Sequence, residues 1–88
     1  MKTQQREVIK MILDYSKLRG RIKEKFGTEK EFARALNISY ATLNKKLNNI
    51  YDFSQTEIAK SVRLLMIEEK EISNYFFYII SCENATNL

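Results

Sequence analysis

Eighty-eight residues, 44% of them hydrophobic, are too apolar for a disordered chain and too few to bury more than one small core. Proline is absent and glycine occurs only twice, which disfavours a turn-rich strand fold and gives all-α as the expected fold class. The net charge of +4 is divided, +7 over residues 1–49 and −3 over 50–88. That suggests a side facing a polyanion, although an ordinary solvated surface accounts for the same charge.

Residues 1–13 read as an N-terminal extension, polar and poorly patterned in its first ten residues, and at most a frayed helical lead-in. Arg6-Glu7-Val8 can be encoded by a ribosome-binding sequence just ahead of Met11, so residues 1–10 also read as a translated leader. A first helix is predicted from Tyr15 to Phe26, capped by Asp14 or Ser16, with Leu18, Ile22 and Phe26 on one face and Gly27 closing it. Thr28-Glu29-Lys30-Glu31 is a capping box for a second helix, Glu29 to Leu36, with Phe32, Ala33 and Leu36 inward. Asn37 can take the left-handed conformation that stops it, and Ser39 caps a third helix, Tyr40 to Asn48, on Leu43 and Leu47.

Asn48-Asn49 is a turn. Ser54-Gln55-Thr56-Glu57 is a second capping box, and Phe53 with Ile58 forms a hydrophobic staple. The fourth helix is predicted to run to Met66 on Ile58, Val62, Leu65 and Met66. A fifth covers Glu69 to Tyr78, with Ile72, Tyr75, Phe76 and Ile79 at helical spacing. Residues 14–82 thus form the domain, and 83–88 are expected to be a disordered tail.

The stretch that carries function is 28–49, TEKEFARALNISYATLNKKLNN: two short helices separated by Asn37, Ile38 and Ser39. So short a turn needs a small residue where the helices touch (Ala33), left-handed backbone (Asn37) and an apolar plug (Ile38). This is a helix-turn-helix pattern. Residues 15–49 resemble the DNA-binding region of phage Cro and repressor proteins, and more closely a group of small Cro-like proteins from phages of Gram-positive bacteria. Thr28 to Ala33 matches their second helix, Asn37-Ile38-Ser39 their turn, and Leu43 with Leu47-Asn48-Asn49 the end of their recognition helix. Asn37 replaces their usual turn glycine, and Lys46 stands where many carry an apolar residue.

The resemblance implies a lambda-repressor-like five-helix domain and a transcriptional repressor occupying a double-stranded DNA operator. The third helix would enter the major groove. Base readout would fall to Ser39, Tyr40, Ala41, Asn44 and Lys45. Phosphate contacts would fall to Thr28, Lys30, Thr42, Lys46, Asn48 and Asn49, although relatives often carry a neutral amide where Glu29 stands. Such proteins usually bind as homodimers to half-sites roughly 34 Å apart. The apolar run Tyr75 to Ile80 is a candidate dimer surface, or equally a tail wrapping its own core. The same residues have duller roles open to them. Lys45 and Lys46 can be solubilising groups, Asn44, Asn48 and Asn49 can simply end a helix, and Ser39 caps a helix with or without a ligand.

Other readings stay open. An antirepressor or modulator would keep the fold and bind a repressor protein, for which Glu29 and the apolar run leave room. A DNA-binding antitoxin would carry the same motif. An enzyme is the weakest reading: there is no histidine, no glycine-rich phosphate loop and no convergent carboxylate pair. The single cysteine, Cys82, leaves neither an intramolecular disulfide nor a zinc cluster. No cofactor, metal or small-molecule ligand is expected. The apolar run is too short to span a bilayer and the N-terminus lacks a signal-peptide core, which places the protein in the cytoplasm.

Overall fold

The computed structural model describes residues 7–86, with side chains over 11–80. Helix α1, Ser16–Phe26, opens where the Asp14 carboxylate accepts from the Ser16 N–H at 2.8 Å and its hydroxyl at 2.6 Å. Those two bonds, the hydroxyl's foremost, hold the Asp14 carboxyl below its ordinary value. Gly27 ends α1 at φ 83° and donates to the Lys23 carbonyl at 2.9 Å. Helix α2, Glu29–Leu36, starts on Thr28, whose hydroxyl accepts from the Glu31 N–H. Glu31 makes no return bond, and its carboxylate lies 3.8 Å from Arg34 one turn along, so the expected box is half closed. Helix α3, Tyr40–Leu47, starts on Ser39, and α4, Gln55–Leu64, on a complete Ser54–Glu57 box.

Three helix ends are closed without glycine. After α2 the Ile38 N–H donates to the Ala33 carbonyl and the Asn37 N–H to that of Arg34; after α3 the pairs are Ile50 to Lys45 and Asn49 to Lys46. After α4 they are Ile67 to Val62 and Met66 to Arg63. This bonding pattern places one residue in left-handed backbone, and Asn37, Asn49 and Met66 have φ of 65°, 65° and 55°. Asparagine tolerates that conformation, whereas Met66 is held there against its side chain's preference, and α4 stops short of the expected Met66 terminus.

The core lies between these helices. Leu18 and Ile22 of α1, Phe32, Ala33 and Leu36 of α2, and Leu43 and Leu47 of α3 are buried together with Phe53, Leu65, Ile67 and Phe76. Phe53 is its aromatic hub, edge-on to Tyr15 and to Phe76 with ring centroids 5.5 Å apart in each case. Burial, reinforced by the Asp52 charge, pushes the Tyr15 hydroxyl above its usual pKa. Ser61 is the buried hydroxyl, satisfied by donating to the Glu57 carbonyl at 2.7 Å.

The termini depart from expectation. In place of a helix from Glu69 to Tyr78 there is a 3₁₀ turn, Glu69–Glu71, and a short α5, Ile72–Phe76. The chain then becomes extended. Strand β2, Ile79–Thr86, pairs antiparallel with β1, Glu7–Leu13, from Glu7 opposite Thr86 to Ile12 opposite Ser81. Leu13 pairs with Ile79, which leaves Ile80 as the extra residue of a bulge. The fold is therefore mostly helical with a two-stranded sheet, not all-α. Residues 7–10 are strand where a frayed helix was expected, and 83–86 are strand where disorder was expected. The parts of those expectations that concern residues 1–6 and 87–88 lie outside the described residues. The reason is physical: the aromatic and β-branched residues of Phe77 to Ile80 suit a strand as well as a helix, and short apolar runs do not declare their period.

Candidate functional site: the outer face of the helix-turn-helix

Helices α2 and α3 bury Phe32, Ala33, Leu36, Leu43 and Leu47 and so turn the remaining faces outward. Ile38 plugs the turn, half-buried against the same core. Tyr40, Ala41 and Lys45 are exposed on the outer side of α3, with Ser39 at its start and Asn44 half-buried. Tyr40 also borders a cleft of about 600 Å³ shared with Thr28 and Lys30 at the start of α2 and with Arg19, Gly20 and Lys23 of α1. Seven of the sequence-derived site residues, Ser39, Tyr40, Ala41, Asn44, Lys45, Thr28 and Lys30, therefore stand on or beside one face.

Others are engaged inside the chain. Lys46 is 8% exposed: its ammonium lies 3.0 Å from Glu57, donates to the Asp52 carbonyl at 2.8 Å and sits 5.9 Å from the Phe53 ring centre. It straps the loop after α3 to α4, so its expected phosphate contact is corrected to a structural role. A buried amine beside its carboxylate is not offered to a ligand. Desolvation raises the Glu57 pKa, but the Ser54 bonds and Lys46 outweigh it and leave a net lowering. Asn49 is corrected in the same way. Its side-chain oxygen accepts from the Leu13 N–H and its side-chain nitrogen donates to the Leu13 carbonyl, both at 2.9 Å, which ties the end of β1 to the end of α3.

Hydrogen bonds also commit several polar groups on the face itself. The Ser39 hydroxyl accepts from the Thr42 N–H at 3.0 Å and donates to the Thr42 hydroxyl at 2.9 Å. Asn48 donates to the Asn44 side chain at 3.3 Å and accepts from Arg19 at 3.2 Å, while Arg19 pairs with Glu29 at 2.7 Å. The Arg19–Glu29 pair neutralises the region where a phosphate was expected. Arg21 is turned away, donating to the Leu65 and Met66 carbonyls. Sequence reasoning missed the apolar part of the surface. Ile50 is 63% and Tyr51 50% exposed just beyond α3, and the Lys45 ammonium stands 5.4 Å from the Tyr51 ring centre. Their signal was visible: an apolar pair follows Asn49, with no place in the helical pattern of α3. Among the described residues no three His, Cys, Asp or Glu side chains gather as metal ligands, and no helix is long and apolar enough to cross a membrane.

These features define a small helical protein that presents a helix-turn-helix face with much of its polar chemistry turned inward. A family described as "Protein of unknown function (DUF739)" matches residues 11–78, and the chain belongs to that family. The chain is similar to the modulator of repression of the temperate bacteriophage TP901-1 from Lactococcus lactis, known from its solution structure. Identity is 42%, the match covers 74% of this chain and 88% of the other, and the TM-score is 0.66. A comparison with curated proteins returns no match. The similarity corrects the expectation of a Cro-like repressor held as a homodimer on an operator, because the solved relative is a modulator of repression.

Proposed function

We propose that this chain is a modulator of repression that acts by binding a repressor protein. The observation that carries the proposal is the 42% identity to the phage modulator over 74% of the chain. In this reading α1 to α5 keep a lambda-repressor-like, Cro-related scaffold, and the outer face of α2 and α3 serves protein recognition. The geometry supports this in two ways. Two of the six side chains expected at phosphates, Lys46 and Asn49, are tied up internally, and Arg19 beside them is neutralised by Glu29, while Lys30 stays exposed. Exposed aromatic and aliphatic side chains, Tyr40, Ile50 and Tyr51, supply the amphipathic surface on which protein interfaces rely.

The test is a titration of the purified chain against the helix-turn-helix repressors encoded in the same phage or prophage, read by calorimetry and by release of repressor from operator DNA. A stoichiometric complex that frees the operator is expected. Absence of a complex at micromolar concentrations, with the repressors shown to bind their operators, overturns the proposal.

A further inference from the structure

The two glycines of this chain border the same cleft, and only one has a reason internal to the fold. Gly27 has φ 83°, where any side chain is strained. Gly20 lies in the middle of α1, is not among the residues of positive φ, and a Cβ built on it would meet no atom within 4 Å. Neither backbone conformation nor packing asks for glycine there, and glycine within a helix lowers its stability relative to alanine. What the missing side chain does is leave the α1 backbone bare along one wall of the cleft of about 600 Å³.

Charge identifies what that cleft would receive. Arg19, on the wall, is already matched by Glu29 at 2.7 Å. Lys23, one turn beyond Gly20, and Lys30, across the cleft on α2, have no carboxylate partner among the ion pairs of the described residues. Tyr40 stands at the border, 43% exposed. Two unmatched ammonium groups, a bare helix backbone and one aromatic ring together fit an acidic peptide segment.

We infer that the repressor inserts an acidic segment into this cleft, its backbone against Gly20, a carboxylate between Lys23 and Lys30, and its flank on Tyr40. The inference rests on the repressor-binding reading above and specifies where and by what chemistry that binding occurs.

Calorimetric titration of the repressor with the full-length chain and its variants tests it, with thermal unfolding of each variant as the control. Gly20→Ala and Gly20→Gln are expected to unfold at or above the parent's Tm, since both residues favour a helix over glycine. Gly20→Gln should nonetheless weaken binding at least roughly tenfold, and Gly20→Ala by less. Lys23→Glu combined with Lys30→Glu should weaken it comparably and flatten its dependence on salt. A parent that fails to bind overturns the repressor-binding reading itself. A parent that binds while Gly20→Gln binds equally well overturns only the cleft assignment, as does a lowered Tm in both glycine variants, which would give Gly20 a structural cause. Binding lost in Gly20→Gln but unchanged in the double lysine variant overturns the acidic occupant.

Discussion

The helix-turn-helix region and the β1–β2 ribbon are ordered by different kinds of contact. In residues 28–54 buried side chains from α2 and α3 meet Phe53 and α1, and the helix ends are closed by hydrogen bonds between residues three to five apart. In the ribbon the order comes from backbone pairing between residues at opposite ends of the chain, such as Glu7 with Thr86. A two-stranded ribbon alone is marginal in water, so its stability is borrowed from its attachment to the helices. One such attachment is the pair of hydrogen bonds between Asn49 and Leu13. Damage to the first region should therefore unfold the whole domain, whereas damage to the second should stay local.

The largest effect is expected from Phe32→Ala. Phe32 is fully buried and stacks edge-on against Phe26 at 5.4 Å, so truncation loses its transfer energy and leaves a cavity. A loss of about 3–5 kcal/mol follows, comparable to the entire stability of many small domains. Denaturant unfolding by circular dichroism should show a single transition at much lower midpoint. A loss below about 1 kcal/mol would break the comparison, because the helical core would then not be the seat of stability.

A smaller and more local effect is expected from Asn49→Gly. Glycine keeps the φ of 65° without strain, so the substitution removes the two bonds to Leu13 and little else. A cost of about 1–2 kcal/mol is expected. Hydrogen exchange should quicken at the amides of Leu13 and of Asp14, which donates to the Tyr78 carbonyl at 2.9 Å, while the amides of α2 change little. Equal acceleration in α2 would mean that ribbon and helices unfold as one unit.

The same contrast explains what could be read from the chain alone. The starts of α2, α3 and α4 were legible because Thr28, Ser39 and Ser54 act on amides three residues away, and a capping signal is local. Asn37 was legible as a left-handed stop for the same reason. The ribbon was not, because nothing near Val8 or Ile9 announces that Asn84 and Ala85 will lie opposite. At the candidate site, periodicity gave the outward face of α3 and already set Lys45 apart from Lys46, which lies three residues after the inward Leu43. What it could not give was the partner that makes a lysine tolerable there, since Glu57 comes from the next helix. The mostly helical architecture was legible, but a fold does not carry its partner with it. Glu29, which pairs with Arg19, was the residue whose charge already argued against a phosphate.

The smallest expected effect probes that hidden pair through pH. Desolvation works against the Glu57 carboxylate, yet the bonds from Ser54 and the Lys46 ammonium hold its pKa below the ordinary 4.5. A carboxyl whose pKa is lower folded than unfolded stabilises the fold above the unfolded value, and that contribution disappears as pH falls through the folded one. Thermal stability should therefore drop as pH is lowered below about 4.5, and part of that drop should be missing in Glu57→Gln. The pair retains contact with water and is partly screened, so the difference is expected to be a few degrees in Tm at most. At neutral pH the variant should be the less stable of the two, because Lys46 is left buried with the Asp52 carbonyl as its remaining partner. Identical profiles from pH 7 to pH 3 would show that Lys46 is held by its stem and that carbonyl alone. The strap between α3 and α4 would then owe nothing to charge.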